Sequence, residues 1–240
     1  MMRKTDDLKV KIFMDGADIE SIKSRGASFP FVKGFTTNPT LMRKAGVGDY
    51  QSFAKQAISA ACGLPISFEV FSDEFDDMGR QARIIASWGP NAYVKIPVTN
   101  SKGESSRDLI KSLSKDGISL NVTAILTLGQ VKHVAEALDE DVPAIVSVFA
   151  GRIADTGRDP VPVMKECLSA LKARPNAELL WASPRELLNI VQADEAGCHI
   201  ITATPGLISK LKLLGKDLEE FSLETVRMFR DDAVAAGFLL

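Results

Sequence analysis

The stretch "NAYVKIPVTN" (residues 91–100) sets a lysine, Lys95, inside an apolar, β-favouring run. Tyr93, Val94, Ile96 and Val98 read as a strand, and Pro97 marks where its ladder ends. A buried ammonium is costly unless it is paired or neutralised. The fold has to explain why a strand carries one.

Working outward, similar short runs recur along the chain. They are "VKIFMDGA" (10–17), "FVKGFTTN" (31–38), "PISFEVF" (65–71), "AYVKIPV" (92–98), "ISLNVTAIL" (118–126), "AIVSVFA" (144–150), "ELLWAS" (178–183) and "HIITAT" (199–204). Each is rich in β-branched or aromatic residues and bounded by turn formers. Helical periodicity fills 39–62, 74–88, 105–115, 128–139, 160–173, 184–195 and 205–214. A last amphipathic stretch, 217–236, opens with an Asp217–Glu220 capping pattern and reads as a helix covering the fold. Strand alternating with helix predicts a parallel sheet with helical crossovers. Eight such units in 240 residues fit one domain, an α/β chain folded as a (β/α)8 barrel with an additional C-terminal helix. An open doubly wound sheet is the alternative.

Composition narrows the class. A formal charge of −2 gives no reason to expect a nucleic acid or an anionic membrane as partner. No apolar stretch approaches a transmembrane span, and "MMRKTDDLKVKIF" lacks a signal-peptide core, so the chain reads as cytoplasmic. Three dispersed cysteines, Cys62, Cys167 and Cys198, suggest reduced, mostly buried thiols. The two histidines, His133 and His199, lack metal-ligand spacing, and His199 reads as a packed or hydrogen-bonded residue. Neither a metal nor another cofactor is expected.

Several strand–helix junctions share one rule. "TNPT" offers Asn38 as N-cap and Pro39 as first helical residue, "SPRE" offers Ser183, Pro184 and a capping-box Glu186, and "TPG" offers Thr204 and Pro205. Capping alone accounts for each. These junctions also lie at the carboxyl ends of strands, where barrel enzymes keep their active sites.

Period-two alternation makes the barrel interior legible. Asp15, Asn38, Glu69, Lys95, Asn121, Thr123 and Ser147 fall near strand ends at positions that can face inward. Any one of them reads most simply as a hydrogen-bonded polar residue in a barrel layer. As a set they hold two acids, a lysine and several amides or hydroxyls at one end, where branched apolar residues are usual. A functional site explains the set better. Lysine's ordinary pKa of about 10.4 makes it a poor nucleophile, and desolvation raises its free-amine fraction. A neutral amine attacks a ketone or aldehyde to form a Schiff base, an electron sink that needs no metal. An ion pair of Lys95 with Asp15 or Glu69 is the competing reading, and both can hold. Arg152 in "SVFAGRI", with Ser183 and Arg185 in "WASPRE" at a helix N-terminus, suggests phosphate binding.

These segments resemble the transaldolase family. "GFTTNPT" (34–40) matches its first signature and "YVKIPVT" (93–99) its Schiff-base lysine segment. "NVTAILT" (121–127), "SVFAGRI" (147–153), "WASPRE" (181–186) and "AGCHIIT" (196–202) follow in the family's order, over nearly the whole chain. The size is that of the small transaldolases and fructose-6-phosphate aldolases. The resemblance implies Lys95 as imine-forming lysine and Asp15 as the carboxylate that takes the C4 hydroxyl proton. It implies Glu69 and Thr123 as holders of a proton-shuttling water, and Asn38, with Thr36 beside it, as substrate-orienting. Asn121 and Ser147 would contact the dihydroxyacetone part, Phe149 would line the same pocket, and Arg152, Ser183 and Arg185 would bind phosphate. Glu69 and Phe149 stand where the fructose-6-phosphate aldolases have glutamine and tyrosine, so the resemblance favours transfer over release. Val148 and Pro184 depart from the larger transaldolases, which have proline and phenylalanine there. The implied partners are sugar phosphates and further copies of the chain, as a homo-oligomer.

Overall fold

The computed structural model describes residues 5–239. Eight parallel strands close into a barrel in sequence order: β1 Lys11–Asp15, β2 Val32–Thr36, β3 Ile66–Glu69, β4 Ala92–Pro97, β5 Leu120–Ile125, β6 Ala144–Val148, β7 Ala177–Trp181 and β8 Ile200–Ala203. This is the (β/α)8 barrel, and β1 pairs with β8 rather than leaving an open edge. The helices are α1 Ile19–Ser28, α2 Pro39–Lys44, α3 Tyr50–Ala60, α4 Phe75–Ala86, α5 Arg107–Lys115, α6 Leu128–Ala137, α7 Ala150–Ala154, α8 Pro160–Ala170, α9 Leu187–Ala196, α10 Pro205–Ile208 and α11 Leu218–Ala235. No helix among the described residues is long and apolar enough to cross a membrane.

Strand alternation divides the apolar residues into two bodies. One face of the strands, with Phe35, Phe68, Val94, Ile96, Val122, Val146, Trp181 and Ile201, joins the helices in the larger core. The other face builds an inner plug of Phe13, Ile145, Leu180, Ala182 and Ile200. Gly34 shapes this plug. Its strand partner is Phe13, and a Cβ at Gly34 would lie 2.5 Å from the tip of the Phe13 ring. Glycine there lets the ring cross the barrel beneath the strand ends.

Local chemistry starts the helices largely as expected. Asn38 accepts from the Leu41 amide ahead of Pro39, and Thr204 accepts from Leu207 ahead of Pro205. Asp217 accepts from Glu220, and His199 Nδ1 accepts from the Leu179 amide. Cys167 and Cys198 are buried, whereas Cys62 is exposed, and all three are free thiols.

Four expectations are corrected. The run 39–62 is two helices, because Gly46 turns left-handed at φ 71° between them. α9 begins at Leu187, not Pro184: Glu186 is its N-cap and shares a capping box with Asn189, while Ser183 takes φ 62°. α1 and the short α7 have no counterpart among the expected helices. Finally, α11 does not cover the barrel. It buries none of its side chains, and Leu218, Phe221, Val226 and Phe229 stay exposed.

Gly34→Ala is expected to destabilise the chain by about 1–3 kcal/mol, the usual cost of overpacking a filled core. Chemical denaturation against the unaltered chain reads this directly.

Candidate active site

Strand register gathers the polar residues above the inner plug. β3 pairs with β4 so that Glu69 faces Lys95, and β4 pairs with β5 so that Lys95 neighbours Asn121. Lys95 is 6% exposed, so its ammonium depends on protein partners. Glu69 Oε2 lies 3.0 Å from Nζ, and Nζ donates to the Thr37 carbonyl at 2.9 Å. Of the two acids considered for the ion pair, the structure selects Glu69.

Asp15 stands at the end of β1 and is close enough to feel the charges of Lys95 and Glu69. Burial pushes its carboxyl above the ordinary 3.8. The positive charge of Lys95 and the bond from Thr36 oppose that, and the charge of Glu69 adds to it. Thr36 donates to Asp15 Oδ1 at 2.7 Å, and its oxygen lies 2.5 Å from Thr202 Oγ1.

Asn121 and Ser147 form one buried network. Ser147 Oγ donates to Asn121 Oδ1 at 2.7 Å, and Asn121 Nδ2 donates to Ser67 Oγ at 3.0 Å. Thr123 is buried on the same strand, and its hydroxyl has no hydrogen-bond partner among the described residues. Asn38 Oδ1 is engaged by the α2 cap.

A second cluster sits above β6 and β7. α7 packs directly on the segment after β7, where the Gly151 amide donates to the Ala182 carbonyl at 3.2 Å. A Cβ at Gly151 would fall 1.6 Å from the Ser183 carbonyl oxygen, so only glycine permits this approach. It sets Gly151 against Ser183, and the charge of the neighbouring Arg152 reaches Asp155, the partner of Arg185. The Arg152 guanidinium lies 5.7 Å from the Phe149 ring centroid. Arg185 Nη1 donates to Ser183 Oγ at 3.0 Å, while Nε and Nη2 clasp the Asp155 carboxylate. Asp155 is held below the usual carboxylate range by that clasp. The backbone amides of Arg185 and Glu186 are taken by Asn189 Oδ1. Any anion here would therefore meet the side chains rather than a helix N-terminus.

The sequence reading missed Thr37, Ser67, Gly151, Asp155 and Thr202. Only alternation within β3 and β8 pointed to Ser67 and Thr202, and a carbonyl acceptor such as Thr37 leaves no trace in residue type.

Comparison with known proteins identifies the family. Residues 12–240 match the family model described as transaldolase/fructose-6-phosphate aldolase. The chain belongs to that family. A probable transaldolase of Dehalococcoides mccartyi is 36% identical over 194 residues, covering 80% of this chain and 86% of that protein. Probable transaldolase 2 of Listeria monocytogenes is 36% identical over 216 residues, covering 88% and 94%. Among solved structures, a putative phosphonomutase from Burkholderia cenocepacia superposes with a TM-score of 0.55 at 11% identity, covering 95% of this chain and 93% of that one. That likeness concerns the barrel fold alone.

The Asp15 environment carries a stability consequence. Its proton is held more tightly in the folded chain than in the unfolded one, so ionisation works against folding. The penalty is absent below 3.8 and complete above the folded value. Asp15→Asn should therefore melt at a higher temperature than the unaltered chain at neutral pH, and the gap should close as the pH is lowered through the folded value.

Proposed function

We propose that the protein is a transaldolase, moving a dihydroxyacetone unit between sugar phosphates through a Schiff base on Lys95. The observation that carries this is the enclosed Lys95 ammonium, held by Glu69 and the Thr37 carbonyl, with the Asp15 carboxyl within reach of its charge. Before it can attack, Lys95 must give up a proton, and Glu69 is the base in contact with it. The free amine adds to the ketone carbon of fructose 6-phosphate or sedoheptulose 7-phosphate, and loss of water leaves the iminium.

Asp15 then takes the C4 hydroxyl proton. The C3–C4 bond breaks, its electrons pass into the iminium to give an enamine, and an aldose phosphate departs. A second aldose phosphate is attacked by the enamine carbon, Asp15 returns the proton to the new alkoxide, and water releases the product from Lys95. Glu69 and the unpartnered Thr123 hydroxyl can hold the water that carries protons during imine formation and hydrolysis. Asn121 and Ser147 are assigned to the dihydroxyacetone part, with Asn38 Nδ2 donating to a substrate hydroxyl and Phe149 as an apolar wall. Arg152, Ser183 and Arg185 are assigned to the phosphate.

A fructose-6-phosphate aldolase activity, releasing free dihydroxyacetone, is the second reading within the family. Glu69 favours transfer, since a carboxylate can accept and return protons where an amide cannot. The chemistry suits a cytoplasmic enzyme of pentose phosphate metabolism. Reduction with borohydride in the presence of fructose 6-phosphate should leave a stable adduct, mapped by mass spectrometry to Lys95. Lys95→Ala should abolish both adduct and turnover, and coupled assays should find aldose-dependent transfer exceeding dihydroxyacetone release.

The bare face of α11 supports the homo-oligomer. Leu218, Phe221, Val226 and Phe229 repeat along one 18-residue helix and stay exposed among the described residues, with the Lys216 ammonium 5.0 Å from the Phe221 ring centroid. A contiguous apolar surface of this kind marks an association face. Light scattering should give a multiple of the chain mass, and removal of residues 217–240 should reduce it.

A further inference from the structure

Two hydroxyls in series support the Asp15 carboxylate. Thr36 Oγ1 has one proton and donates it to Asp15 Oδ1 at 2.7 Å. The 2.5 Å contact between Thr36 Oγ1 and Thr202 Oγ1 must then be donated by Thr202. The three residues come from adjacent strands, Thr202 on β8, Asp15 on β1 and Thr36 on β2, and β1 pairs with both neighbours. Both threonines are buried, at 3% exposure for Thr36 and 6% for Thr202. Among the described residues no donor reaches Asp15 Oδ2.

We propose that Thr202 is a positioning residue of the acid–base step, acting through Thr36 to hold Asp15 by Oδ1 and leave Oδ2 turned to the reacting hydroxyl. The proposal rests on Asp15 being the acid–base group. Its physical basis has two parts. First, a carboxylate rotates between equivalent oxygens unless one is engaged, and a hydroxyl that itself receives a bond is a stronger donor. Thr202 therefore strengthens the bond that orients Asp15. Second, hydroxyl rotors can reverse. With a proton on Oδ1, Asp15 would donate to Thr36 and Thr36 to Thr202, so the chain stays bonded in either protonation state. A methyl group at the Thr202 oxygen position can do neither, whereas a serine hydroxyl can do both.

The charged groups facing Asp15 are Lys95 from β4 and Glu69 from β3. The first supports the anion and the second opposes it. Loss of the Thr202 bond removes a further support for the anion.

The test compares Thr202→Val, Thr202→Ser and Asp15→Asn in the full-length protein. Thr202→Val keeps the side-chain shape, and its borohydride adduct with fructose 6-phosphate should still form on Lys95. Its kcat should fall about tenfold, the usual worth of one buried hydrogen bond, with KM little changed. The acid limb of its kcat profile should move to higher pH. Thr202→Ser should restore both rate and limb. An unchanged kcat and limb in Thr202→Val would overturn the proposal. So would an equal loss in valine and serine variants with the limb unmoved, which would leave Thr202 only a packing role. Asp15→Asn separates this from the underlying reading. If it still cleaves substrate, Asp15 is not the acid–base group; if it is inactive while Thr202→Val is unaltered, only the role of Thr202 fails.

Discussion

A lysine ammonium enclosed by protein needs a counter-charge, and here the register between β3 and β4 supplies it. Glu69 and Lys95 are direct cross-strand partners with 3.0 Å between charged atoms. Breaking a buried pair by removing one partner costs about 3–5 kcal/mol, because the other charge is left uncompensated. A slip of β4 by one residue would turn Lys95 to the helical layer and leave Glu69 facing inward without it. Fold and site thus share a constraint: the pairing that completes the sheet also makes the lysine tolerable. The same pairing gives Lys95 a contact to which it can pass its proton.

The barrel interior is graded along its axis. An apolar plug around Phe13 fills the lower part, and the polar side chains lie above it at the strand ends. Gly34 makes the gradation possible by accommodating the Phe13 ring. Charges set over a packed apolar plug interact in a low-dielectric setting, which strengthens their mutual influence. Asp15 responds to Lys95, Thr36 and Glu69 at once: burial outweighs the lowering by Lys95 and Thr36, Glu69 adds to the rise, and the pKa goes up.

The arginine cluster is organised by backbone contact. Gly151 lets α7 touch the segment carrying Ser183, and Ser183 adopts a left-handed conformation that β-branched residues avoid. Asp155 then fixes the Arg185 guanidinium through two of its nitrogens. The ion pair is half exposed, so its contribution to stability is small, and its effect is on where the guanidinium points.

Alternation and capping are local, so they are written in the sequence. From them follow eight strand–helix units, the inward placement of Asp15, Glu69, Lys95, Asn121, Thr123 and Ser147, and the helix starts at Asn38, Thr204 and Asp217. The "SPRE" junction misled because Ser183 and Pro184 imitate a cap, whereas the backbone turn at Ser183 defers α9 to Leu187. Partner choice was settled only by tertiary structure. Lys95 meets a carbonyl 58 residues away, and Thr36 meets a hydroxyl 166 residues away. Closure of the barrel creates those neighbours, and no periodicity within a strand encodes them. The bare face of α11 belongs to the same category: amphipathic spacing marks an apolar stripe, but only the folded chain reveals that its own barrel does not cover it.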